Sequence, residues 1–290
     1  MAKPGKTLTQ EQIEQLVAGS QPERLSESAK RPIPWDHAAH VAQLALWGHP
    51  TLAADHLLFP ELTGSLPAVV AGVIRQLNIR FAQARLQAGE PEVALVCKVR
   101  DRQFSYETLL EMAINFTGLE SRWLDAEERR EASRGIQAAL AEWEAREAAE
   151  GKVSVAAAVV RRWLAGMKLV QKGASMVART ALRIEEALDF GKPVVLEFLR
   201  KAQAEIEGNI YTRMVREGRC RFGNDYALGL RWLRHLGFEQ VSTNPVLAAL
   251  AYQDDPTLGR TFQADVKSYR KFAQWKAQPE KHGDEIALYA

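Results

Sequence analysis

Asp225 and Asn244 stand nineteen positions apart in a chain of 290 residues, each beside a short run of strand-forming residues. The first run is Cys220-Arg-Phe-Gly-Asn-Asp225 and the second is Phe238-Glu-Gln-Val241, followed by Ser242-Thr243-Asn244-Pro245. A carboxylate can exchange a proton with a substrate hydroxyl, and a side-chain amide can donate and accept at once. Both polar clusters therefore carry groups able to hold and turn over a hydroxylated molecule. The competing reading is local: Asp, Asn and Ser also start helices, and proline suits the first helical turn, so each cluster could be a cap. Other residue sets point less firmly to chemistry. His37 and His40 lie one helical turn apart, with His49, His56, Asp36, Asp55 and Glu61 nearby in sequence. No Glu-x-x-His motif accompanies them, so we expect solvated or hydrogen-bonded imidazoles and no metal. Arg161, Arg162, Lys168, Lys172, Arg179 and Arg183 read as the solvated face of an amphipathic helix. The seven tryptophans are scattered, as core or interface anchors are, and no Gly-x-Gly-x-x-Gly or phosphate loop occurs, so neither ATP nor NAD is expected.

The elements that must position the first two clusters follow from periodicity. Tyr226 to Leu236 has helical spacing, and Gly237 closes it before Phe238 to Val241 becomes extended again. Strand, helix and strand in that order give a parallel pair, whose carboxyl ends carry Asn224-Asp225 and Ser242-Thr243-Asn244. That edge is where barrel and open α/β enzymes assemble their sites. Upstream, three- and four-residue spacing of apolar positions predicts helices throughout. Thr9 and Gln12 form a capping box, a proline-containing linker follows at Lys30 to Pro34, and Asp36 caps a helix that Gly48-His49-Pro50 stops. Further helices are expected over Leu66 to Ala88, Ser105 to Thr117, Ala126 to Glu150 and Val194 to Ile206. Val153 to Asp189 reads as one helix crossing the domain, and Val93 to Val99 as a β-rich run.

Composition bounds the partners. The chain has 38 basic and 36 acidic residues, and a net charge of +2 gives no cationic excess to hold a nucleic-acid backbone. The longest stretch free of Asp, Glu, Lys and Arg, His37 to Ala54, contains three histidines and a Gly-His-Pro break, which a bilayer would not accept. Two distant cysteines, Cys97 and Cys220, read as buried thiols in a reducing cytoplasm.

The segment from Arg219 to Gln253, and above all Gly237-Phe-Glu-Gln-Val-Ser-Thr-Asn-Pro-Val-Leu247 behind Asp225, resembles the opening of transaldolases. That family begins its barrel with an aspartate on the first strand and a Thr-Thr-Asn-Pro-Ser run. Here Ser242 stands for a threonine and Val246 for the serine. The resemblance implies a (β/α)8 barrel that moves a dihydroxyacetone unit between sugar phosphates through a lysine Schiff base, without cofactor or metal. It makes Asp225 the catalytic acid/base, Asn244 the amide that binds the triose, and Ser242 and Thr243 pocket-lining groups. A full barrel takes about 250 residues, and only some seventy follow Cys220. Lys267, Lys271, Lys276 and Lys281 fall in a polar, helix-like tail, so the Schiff-base lysine is expected outside this chain. The expected fold is mainly α: a helical domain over residues 1–210, then a small α/β segment over 211–290 resembling the first barrel strands. Partners would be a sugar phosphate and either the remaining barrel or a second copy. The alternative is a catalytically silent helical interaction or assembly domain.

Overall fold

Capping chemistry sets the first elements as read. In α1 (Gln10–Gly19) the Thr9 hydroxyl accepts from the Gln12 amide while the Gln12 side chain accepts from Thr9. Asp36 accepts from the Ala39 N–H at 2.8 Å to open α2 (His37–Leu46). Gly48, at φ 87°, turns the chain, and Pro50 starts α3 (Pro50–Asp55) instead of merely ending what precedes it. The computed structural model describes residues 8–22, 36–87, 89–151, 153–242, 244–255, 257–258 and 270–282, with no side-chain description at 270–272. The linker expected at Lys30 to Pro34 lies outside them.

After α4 (Leu66–Gln83) comes the organising element, α5 (Glu92–Thr117), packed against α1, α2, α3 and α4 and against three later helices. The β-rich run Val93 to Val99 is the first turns of α5. Leu95 and Val99 share its inner face, whereas Val93 is 76% exposed, so burial on one helical face overrides strand propensity. Every residue from Arg102 to Phe116 is buried. A helix enclosed all round is ordinarily apolar, yet this one carries Arg102, Gln103, Glu107, Glu111 and Asn115, whose polar groups need partners inside the fold.

Asp125 accepts from both the Glu127 and Glu128 amides and starts α6 (Ala126–Glu150). The single helix expected over Val153 to Asp189 is two: α7 (Val155–Leu169) and α8 (Met176–Glu186), packed on each other across a tight turn. Gln171, Lys172 and Gly173 all have positive φ (52°, 51° and 86°), which no right-handed helix can hold. Apolar spacing survives the break because both helices bury a face. The helices α9 (Val195–Glu207) and α10 (Ile210–Arg216) complete the helical body.

Strands β1 (Phe222–Asn224) and β2 (Phe238–Val241) pair in parallel around α11 (Ala227–Leu233), and α12 (Pro245–Asp254) follows β2. Another helix, α13 (Arg270–Ala277), lies further along. The architecture is thus mainly α with one small parallel α/β segment. Phe222 and Phe238 stack at 5.3 Å between ring centres, with Tyr211 against both. Cys97 is exposed and Cys220 half-buried, correcting the expectation of two buried thiols. Among the described residues no helix is long and apolar enough to cross a membrane.

Candidate functional site

The parallel register pairs Asn224 with Val241, and the Ser242 N–H continues the ladder by donating to the Asn224 carbonyl at 3.1 Å. Asp225 and Ser242 are therefore the next residues beyond the same strand ends, with Asn244 two positions further on, and all three are exposed. Thr243 lies outside the described residues. Capping holds for only one of the two clusters. Asn244 is the N-cap of α12, its Oδ1 accepting from the Leu247 N–H at 3.0 Å with Pro245 at the first helical position. The N-cap of α11 falls on Tyr226 and not on Asp225, with no side-chain cap bond. Asn224 spends its side chain on the Tyr226 carbonyl at 2.6 Å. The Tyr226 hydroxyl donates to Asp254, and burial together with that carboxylate pushes it up to about 12.

A second constellation, missed from sequence, lies where α11 meets the helical body. Glu111 on α5 is fully buried and accepts from Arg231 Nε at 3.0 Å, from Arg231 Nη2, and from the Thr51 hydroxyl at 2.9 Å. Burial raises its carboxyl, but the Arg231 and Arg234 charges and the Arg231 hydrogen bond outweigh that and leave it lowered. Arg234 bonds Asp55 at 2.7 Å and Asn115 at 2.9 Å, and Asn115 in turn donates to Asp55 at 3.0 Å. One turn earlier, Glu107 faces Arg162 at 3.3 Å and takes the Gln103 amide at 3.2 Å, yet burial leaves its carboxyl raised. Arg162 also donates to the Val17 carbonyl and the Ser20 hydroxyl, so it belongs to this network and not to a solvated face. The Arg231 guanidinium sits 4.8 Å over the Trp163 ring.

Of these groups Thr51, Glu107, Glu111, Arg162 and Arg231 line a cleft of about 650 Å³, together with apolar side chains of α7 and α11. Trp163 and Trp232 line it too, and both indole N–H groups are buried with no hydrogen-bond partner among the described residues. Each such orphan donor costs roughly 1–3 kcal/mol. The signal available in sequence was the four-residue spacing of Glu107, Glu111 and Asn115 among the apolar residues Leu109, Leu110, Met112, Ala113 and Ile114.

Among the histidines His37 is hydrogen-bonded, as expected, whereas His40 and His56 are buried, each with a ring nitrogen that has no hydrogen-bond partner among the described residues. His40 and His56 are only 3% and 7% exposed, with ring centres 4.9 Å apart, and His37 stacks on His56 at 6.1 Å while its Nε2 meets the His56 carbonyl at 2.7 Å. Burial, with the neighbouring imidazoles adding to it, lowers His56 to about 4 and His40 in the same direction. Among the described residues, no three His, Cys, Asp or Glu side chains come together in an arrangement that would hold a metal ion. No family model matches the chain, and neither a curated protein nor a solved structure matches it.

Proposed function

We propose that the β1–α11–β2 unit is the opening of a transaldolase-type barrel and that this chain supplies the proton-exchanging and triose-orienting half of its site. The observation that carries the reading is the shared sheet edge: Asp225 and Ser242 follow directly from paired parallel strand ends. Asp225 would exchange a proton with the substrate hydroxyl during carbon-carbon cleavage. Asn244 has its Oδ1 engaged as a helix cap, so it would orient the bound dihydroxyacetone part through its Nδ2 donor. Ser242 and Thr243 would line the pocket. The Schiff-base lysine would come from a later strand, outside this chain. The substrate class is sugar phosphates, and no cofactor is called for.

Backbone NMR with fructose 6-phosphate tests the reading. Saturable shifts are expected at residues 224–226 and 242–245, and Asp225→Ala should abolish them without altering the helical circular dichroism. Shifts elsewhere only, or shifts that survive Asp225→Ala, would sink it.

A second reading, a silent interaction or assembly module, is favoured by one observation. The helix α12 buries only Ala251 while Val246 and Leu250 are 68% and 38% exposed, and neighbouring Val241 is 44% exposed. Parallel sheets are ordinarily covered on both faces. Light scattering separates the readings: self-association that Val246→Lys abolishes, with no sugar-phosphate binding, would favour assembly.

A further inference from the structure

We infer that the turn between α7 and α8 is a domain-swapping hinge: opened, it lets residues 155–186 run as one helix and lets two copies of this chain exchange everything after Gly173. The inference concerns the helical body and rests on neither reading of the sheet edge. Gln171 and Lys172 stand consecutively at φ 52° and 51°, a left-handed conformation that Gly, Asn and Asp enter far more readily. Both are exposed, and neither side chain makes a hydrogen bond or ion pair among the described residues, so the reversal itself imposes the strain. The sequence favours a straight path. Met167, Val170, Ala174, Val177, Ala181 and Ile184 step by three and four through the turn, no proline interrupts residues 155–186, and Gln and Lys are good helix formers. Ala174 alone of those six is exposed, and a continuous helix returns it to the stripe. Against fusion stand the Ser175 cap on the Ala178 N–H at 3.0 Å, the packing of the turn on α12, and Gly173, whose φ of 86° suits the reversal.

Within one chain the hinge cannot straighten. The helix α8 is packed on α7 and bridged to it by Lys168 and Glu185, and beyond it Glu144 accepts from the Val194 N–H and Glu111 holds Arg231. Each of these contacts joins residues on opposite sides of the hinge, so two chains can remake all of them in exchange, and only the hinge and what touches it change. The swap releases two left-handed residues per chain and restores the helical ladder across them. Its cost is the freedom of a second molecule, which makes it depend on concentration.

The test refolds the full chain from urea at low and at high protein concentration, as an equal mixture of unlabelled and heavy-isotope-labelled protein, and separates the products by size with light scattering. A dimer is expected whose yield rises with refolding concentration. Carbodiimide coupling of Lys168 to Glu185 in that dimer should give cross-linked peptides with one labelled and one unlabelled half, because the bridge now joins two chains; the monomer gives matched halves only. Gln171→Gly combined with Lys172→Gly suits the left-handed turn and disfavours the helix, so dimer yield should fall at least about tenfold. Gly173→Ala acts the other way and raises the yield, and its Cβ meets nothing closer than the Lys168 carbonyl at 3.8 Å, so the monomer still folds. Val246→Lys, which alters the α12 surface, should leave the yield unchanged. Matched halves alone in the dimer, a yield indifferent to the hinge variants, a dimer lost on Val246→Lys, or refolding to monomer at every concentration would overturn the inference.

Discussion

Glu111 is the residue on which the two parts of the molecule are fastened together. Fully buried on α5, it takes the Arg231 guanidinium by two nitrogens and lies 3.8 Å from Arg234, so a helix of the α/β segment is tied by charge to the centre of the helical body. Glu111→Gln keeps the shape and removes the anion. Because Arg231 is 54% exposed and partly rehydrates, the expected loss is about 2 kcal/mol and not the larger figure for a fully enclosed pair. A lower urea midpoint at unchanged slope would register it. Single-residue chemistry was legible where it is local: the caps at Thr9, Asp36 and Asp125 follow from residue type. The partners of Glu107 and Glu111 were not, because Arg162 and Arg231 are distant in sequence and only packing brings them to α5.

At the scale of elements, the β1–α11–β2 unit depends on Gly237. At φ 89° it reverses the chain between α11 and β2, and an added Cβ would stand 2.9 Å from side-chain atoms of both Leu119 and Val215. Gly237→Ala thus combines left-handed strain with overpacking, and about 2 kcal/mol or more of destabilisation is expected in thermal unfolding. Sequence alone located this unit well, since Gly237 and the flanking extended runs are short-range signals. It failed at α5 and at the α7–α8 turn for opposite reasons. The Val93 to Val99 run carries strand propensity that packing overrides, whereas Val153 to Asp189 keeps helical spacing straight through a turn made by Gln171 and Lys172, residues with no turn preference. The sheet edge that gathers Asp225, Ser242 and Asn244 was legible because it follows from strand order, while the cleft was not because it needs helices distant in sequence, α5, α7 and α11 among them, packed in place.

For the whole molecule, His56 and Glu147 make opposed contributions to the pH dependence of stability. His56 titrates at about 4 in the folded chain against an ordinary 6.5, so the unfolded chain binds the extra proton and stability falls as pH drops through that interval. Burial, against the pull of Arg102, raises Glu147 from 4.5 to about 7, so there the folded chain holds the extra proton and stability falls as pH rises. The two slopes oppose between 4.5 and 6.5. Glu147→Gln removes the second, and urea unfolding should then gain with pH more steeply than the parent, by up to about 1.4 kcal/mol per pH unit. Equal slopes would mean that Glu147 ionises normally. The reversal at Gln171–Gly173 has a consequence for proteolysis. It presents Lys172 on an exposed turn that packs against α12. Brief trypsin treatment should nick the peptide bond after Lys172. The α7–α8 hairpin, held by packing and by the Lys168–Glu185 bridge at 2.8 Å, would stay joined, and the α/β segment would lose a mooring point and exchange its amide hydrogens sooner.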